Sequence, residues 1–171
     1  MIECLVGSEM CIRDSLGTPD EPTTPSLKKY LRQFLSDGRV IETPKVIWWL
    51  ILNGIILNTR PAKSAKNYKS VWTEEGSPLL LYTKKQKELI KSHLDKKYYN
   101  LVFDIGMRYG NPSIKKGLNN LRNQNCDRIV VLPLYPQYCA ATTGSTFDAV
   151  SEELQQWRWV PSLRFIGSYY D

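Results

Sequence analysis

A chain of 171 residues is long enough to bury a core and falls in the size range of one domain. Apolar residues make up 42% of it, with 10 Tyr and 5 Trp, which excludes a disordered chain. The 23 Lys and Arg against 17 Asp and Glu leave a net charge of +6, so an acidic partner is open: nucleic acid, anionic lipid or a carboxylate-bearing small molecule.

Residues 1–15, MIECLVGSEMCIRDS, lack the basic start, long apolar stretch and small-residue cleavage site of a signal peptide. They look foreign to the rest of the chain, and the expectation is a non-native leader or assembly scar joined near Ser15, with 16–171 as the domain. After the turn-rich LGTPDEP, Thr24 is expected to cap a helix with Pro25 in its first turn. Leu27, Tyr30, Leu31, Phe34 and Leu35 then recur at helical spacing, which predicts a helix over 25–36.

SDGRVIETP closes that helix. The apolar run 46–57, VIWWLILNGIIL, reads as helical but hydrophobic on too many sides for a simple surface helix. It is interrupted by Asn53-Gly54 and is too short to span a bilayer, so it is core, or a lip facing ligand or membrane. RPAKSAKNYKSVW predicts a short basic helix, TEEGSP a turn, and 80–95 an amphipathic helix with Leu89, Ile90 and Leu94.

From residue 98 the pattern changes. YYNLVFDIGMRYG predicts a strand; Pro112 starts a helix with Ile114, Leu118 and Leu121; DRIVVLPLY is a strongly apolar strand. Phe147, Val150, Leu154 and Trp157 mark a further helix, and LRFIGSYY a last strand. Strands alternating with helices predict an α/β fold, a Rossmann-like parallel sheet flanked by helices on both faces. Ligands of such sheets sit beyond the carboxyl ends of the strands, where MRYG and YPQYCAATTGS fall.

Several chemistries are absent from the sequence. No G-x-G-x-x-G or P-loop pattern appears, and neither does a nucleophile elbow or a metalloprotease helix. His93 is the single histidine and reads as a surface residue. The basic residues fall in scattered pairs such as Lys28-Lys29, Lys84-Lys85 and Lys96-Lys97, without an RNA-binding or zinc-finger signature, so no nucleic-acid partner is expected. Cys4, Cys11, Cys126 and Cys139 form no C-x-x-C pair or dense framework, which suits reduced thiols in a cytoplasmic setting.

Two stretches stay open on residue types alone. TTGS before a helix reads as an anion cradle or as an ordinary cap through Thr143 or Ser145, while the tyrosines beside it suit a flatter, apolar ligand. Arg60, Lys63 and Tyr68 are either a solvated face or donors for ligand carboxylates at the rim of an apolar pocket.

Five segments, LGTPDEPT, LRQFLSDGRVIE, RPAKSAKNYKSVWTEEGSPLL, GMRYGNPSI and LPLYPQYCAATTGS, closely resemble, in that order and spacing, ferrochelatase of the bacterial type. The resemblance covers 16–171. It implies insertion of ferrous iron into protoporphyrin IX to form protohaem, by two similar Rossmann-like domains with the porphyrin in the cleft between them.

On that resemblance Tyr135, Thr142 and Thr143 lie near the macrocycle and Leu16 faces the ring centre. Arg60, Lys63, Tyr68 and Ser77 lie near the propionate end or the pocket lip, and Arg108 and Tyr109 on the metal-approach side. The run 46–57 matches a lip that can rest peripherally on a membrane, at its cytoplasmic face. The family's proton-accepting histidine and helping glutamate belong to its second half, beyond Asp171. The resemblance therefore implies a fragment without catalytic residues of its own, inactive in metallation, which acts as a porphyrin-binding half-domain or is an unstable piece of an assembly.

Two departures from the pattern stand out. An apolar first strand in the middle of the sheet precedes LGTP in the family, whereas EMCIRDS precedes it here, so the expected pairing is lost or passes to IECLV in a shifted register. Cys139 does not match the family's cluster cysteine, whose position corresponds to Ala140, so no iron-sulfur cluster and no other cofactor is expected.

Overall fold

The computed structural model describes residues 9–98 and 100–170. These fall into two compact units. A sheet unit comprises 9–16, Thr83–Arg108 and 112–170; a helical unit comprises Gly17–Tyr82 and Tyr109–Asn111.

The sheet has four strands: β1 (Glu9–Thr18), β2 (Val102–Gly110), β3 (Arg128–Pro133) and β4 (Ser162–Phe165), in the order β2-β1-β3-β4. β1 runs parallel to β3, from Glu9 opposite Arg128 to Asp14 opposite Pro133, and β3 runs parallel to β4. The parallel α/β expectation holds. The reading of the first strand needs correcting: the pairing expected to be lost before LGTP is present, with EMCIRDS forming the body of the interior strand β1. Backbone pairing with β3 overrides its mixed polarity. The alternative pairing through IECLV lies outside the described residues.

α5 (Ile114–Asn123) and α6 (Ser145–Leu154) fill the core of the sheet unit. Ile114, Leu118 and Leu121 recur at helical spacing on α5 and meet Ile129 and Val131 of β3, with Val150, Leu154 and Trp157 closing the cluster. α5 starts at Ile114 rather than at Pro112, capped by Ser113, whose Oγ accepts from Lys116 N–H at 3.2 Å. The helix expected to run to Trp157 ends at Leu154; Trp157 follows in a turn, N–H to Leu154 C=O at 3.0 Å, and stays buried. Its indole N–H donates to Glu153 Oε1 at 3.3 Å, so the buried carboxylate is not an orphan; Lys115 and Asn119 of α5 reach the same group. The last two strands are shorter than expected, because regular pairing stops at Pro133 and Phe165.

The helical unit is built on α1 (Thr24–Leu35), α2 (Lys45–Ile51) and α3 (Leu57–Val71). α1 buries Leu27, Tyr30 and Leu35, the stripe read from spacing. Thr23 occupies the cap position with no side-chain hydrogen bond, one residue before the expected Thr24. Asn53-Gly54 does not break the apolar run: a π-helical turn (Leu52–Ile56) joins α2 to α3, and the chain is helical from Lys45 to Val71.

Side chains supply donors where this turn loosens the backbone ladder. Asn58 Nδ2 donates to the carbonyls of Asn53 and Gly54, both at 3.0 Å, and Thr59 Oγ1 to that of Ile55 at 2.9 Å. Pro61, one turn on, cannot donate to Leu57 and crowds it, which favours the wider winding just before. Leu52, Leu57 and Trp48 pack on Leu35, Leu31 and Phe34 of α1, and the Trp48 indole N–H donates to Leu35 C=O at 2.6 Å. α4 (Pro78–Leu94) carries His93, exposed as expected.

Candidate functional site

In the helical unit, one continuous helical stretch first presents apolar side chains to solvent and then cations. Val46, Ile47, Trp49, Leu50 and Ile55 are 55–75% exposed, an apolar patch of the kind that marks a ligand or membrane surface. Arg60 and Lys63 follow on α3, both exposed and three residues apart, so they share a face. Tyr68 is half-buried, packs on Trp72 with ring centroids 6.4 Å apart, and is hydrogen-bonded to Tyr30. Burial pushes its phenol above the ordinary value, and the Tyr30 hydrogen bond partly offsets this.

Ser77, also in this unit, is 5% exposed and hydrogen-bonds Thr18 at 2.8 Å. It therefore ties the end of β1 to the turn before α4. Thr73 and Gly76 exchange backbone hydrogen bonds at 3.1 Å across the TEEG turn, which places Ser77.

Tyr109, assigned by resemblance to the metal-approach side, is 2% exposed, and its O–H donates to Asp37 Oδ2 at 2.9 Å. Its ring and that of Phe34 meet edge to face, centroids 5.3 Å apart. Sequence reasoning missed Asp37 and Gln33, which accept hydrogen bonds from Tyr109 and Gly110.

In the sheet unit, Leu16 and Arg108 are half-buried at the ends of β1 and β2. Tyr135 is half-buried in the loop after β3. Thr142 and Thr143 lie in a second π-helical turn (Ala140–Gly144) leading into α6. The expected cap through Thr143 or Ser145 is not formed. Ser145 Oγ donates back to the carbonyls of Ala141 (2.9 Å) and Thr142 (3.0 Å), Thr146 Oγ1 to Thr142 (2.9 Å), and Thr142 Oγ1 to Cys139 (3.4 Å). Three of the hydroxyls thus serve the widened turn itself. Thr143 is fully buried, and its hydroxyl has no hydrogen-bond partner among the described residues. The Cys139 carbonyl accepts from the amides of Thr142 (3.2 Å) and Gly144 (3.1 Å), which closes this turn.

Among the described residues no group of three or more His, Cys, Asp or Glu could hold a metal ion, and no helix is long and apolar enough to cross a membrane. Cys126 is buried and Cys139 exposed, both as free thiols.

A sequence model of the ferrochelatase family matches residues 14–171. The chain is similar to a ferrochelatase of Thioalkalivibrio sulfidiphilus, 55% identical over 157 residues, covering 91% of this chain and 42% of that protein. It is similar to one of Marinobacter nauticus at 52% over 158 residues, 92% of this chain and 43% of the other, and to ferrochelatase 2 of Shewanella oneidensis at 52% over 157 residues, 92% and 48%. The chain spans a little under half the length of these relatives.

Proposed function

Because this chain belongs to the ferrochelatase family, we propose that it supplies porphyrin-binding surface for the insertion of ferrous iron into protoporphyrin IX, the step that forms protohaem in haem biosynthesis. The observation that carries this reading is the helical stretch Lys45–Val71, in which exposed apolar residues are followed by Arg60 and Lys63. A flat apolar ring with two carboxylates at one edge calls for such a pairing of apolar wall and cationic edge.

In this reading Trp49, Leu50 and Ile55 shield the ring from water, while Arg60 and Lys63 receive the propionates. Tyr68 and Ser77 set the lip. Within the sheet unit taken by itself, Leu16, Arg108, Tyr135 and Thr142 lie at strand ends and in loops, where an α/β fold places its ligands. Thr143, being buried, acts by shaping the loop. Iron is a substrate; none of the described residues is assigned the proton-accepting step.

The test is a protoporphyrin IX titration of the Arg60→Ala/Lys63→Ala double variant. Loss of two charge-assisted contacts at a solvent-exposed edge is expected to weaken binding about tenfold. Equal affinity in the variant and the parent chain would remove the propionate assignment.

The same patch favours peripheral attachment to a membrane surface: Val46, Ile47, Trp49 and Leu50 are exposed together on one short helix. Co-sedimentation with phosphatidylglycerol-containing vesicles is expected to fall several-fold in Trp49→Ser/Leu50→Ser. Undiminished sedimentation would rule out this contact.

A further inference from the structure

One face of α1 and the turn ending it touches both strand ends of the helical unit. Tyr30 O–H donates to the Gly17 carbonyl at 3.3 Å; Gln33 Oε1 accepts from Gly110 N–H at 3.0 Å; the Phe34 and Tyr109 rings meet edge to face; Asp37 Oδ2 accepts from Tyr109 O–H. Asp37 is itself fixed, its Oδ1 accepting from Arg39 N–H at 2.8 Å. Beyond Gly110, Asn111 Nδ2 donates to Asp20 Oδ1 at 2.7 Å, and Asp20 pairs with Lys29 of α1 at 3.5 Å.

We propose that Asp37, assisted by Gln33, is a positioning residue that fixes Tyr109 and Gly110 at the end of β2, and through them one wall of the porphyrin site. The functional half of this inference rests on the porphyrin-binding proposal and on the metal-approach position that the family resemblance gives Tyr109. Tyr30, Gln33 and Phe34 share one face of α1, and Asp37 follows in the turn two residues beyond its end, so the helix and its closing turn set the four contacts together. A hydrogen bond from a phenol to a carboxylate is about twice as strong as one between neutral groups, and here the acceptor is held at both oxygens. The phenol oxygen of Tyr109 is thereby located from two sides, by its ring packing and by Asp37.

The experiment uses the 171-residue chain with Asp37→Ala, Asp37→Asn, Tyr109→Phe and the Ala/Phe double variant. Amide exchange at Gly110 and Asn111 is read first, with α5 as internal reference. Asp37→Ala is expected to speed exchange there about tenfold while leaving α5 unchanged, because only a local opening is made easier. Asn can still bond the phenol and should restore protection to within about twofold, and the double variant should open no further than either single change, since both remove the same contact.

Unchanged exchange in Asp37→Ala, failure of Asn to rescue, or additive single effects would each overturn the positioning role. Protoporphyrin IX affinity is read second, and a drop of about fivefold in Asp37→Ala, rescued by Asn, is expected. Loosened exchange with unchanged porphyrin affinity would overturn the link to the site. A parent chain that binds no porphyrin would sink the porphyrin reading and the link together, while the exchange data still decide the positioning.

Discussion

Gly17→Ala is expected to cost at least about 3 kcal/mol, a large part of the stability of an ordinary domain. A Cβ at Gly17 would lie 1.7 Å from the Tyr109 carbonyl oxygen, and Gly17 holds φ +110°, which L side chains rarely adopt. Neither neighbour can yield easily: Gly17 accepts from Tyr30, and Tyr109 is held by Asp37 and Phe34. The reciprocal crossing is as tight, since a Cβ on Gly110 would meet the Thr18 carbonyl at 2.2 Å. Gly38→Ala, where nothing lies within 4 Å, is the control. Urea midpoints decide the matter: Gly17→Ala unfolding far below the control is the expected result, and coincident midpoints would refute the close approach.

Leu118→Ala is expected to cost about 3 kcal/mol, within the usual range for a buried leucine. Leu118 is fully buried on α5, clustered with Leu121, Ile129, Val131 and Val150, and truncation leaves a cavity that neighbours on three elements must collapse to fill. Leu118→Met conserves volume and should cost less than about 1.5 kcal/mol. Equal midpoints for the two variants in denaturant melts would mean that this cluster is not the core of the sheet unit.

Much of the fold was legible in the sequence because periodicity reports burial directly. α1, α5 and β3 carry their apolar stripes where spacing placed them, and the alternation of strands with helices pointed to the parallel sheet. β1 was not legible, since Glu9, Arg13 and Asp14 do not read as an interior strand; its register is fixed by β3, far away in the chain. The continuity of 45–71 was hidden for a related reason. Asn53 and Gly54 look like breakers, and only the positions of Asn58 and Thr59 show that the loosened turn keeps its hydrogen bonds.

At the site, residue types were legible and orientations were not. Arg60 and Lys63 are exposed on one face of α3. Tyr109, assigned to the metal-approach side, and Thr143, assigned near the macrocycle, are both buried, Tyr109 against Phe34 and Thr143 in the π-helical turn, which residue type alone did not indicate. The residue that holds Tyr109 sits tens of positions away in sequence, where no local pattern links Asp37 to it.

The most direct test of the porphyrin reading is a titration of the unmodified chain with protoporphyrin IX, followed by quenching of its tryptophan fluorescence. Saturable quenching at one porphyrin per chain, with a dissociation constant on the order of micromolar, is the predicted result, and a contribution of that size is reasonable for an apolar wall with a cationic edge. Quenching that rises linearly to the solubility limit, without saturation, would contradict the assignment of a porphyrin-binding surface to this chain.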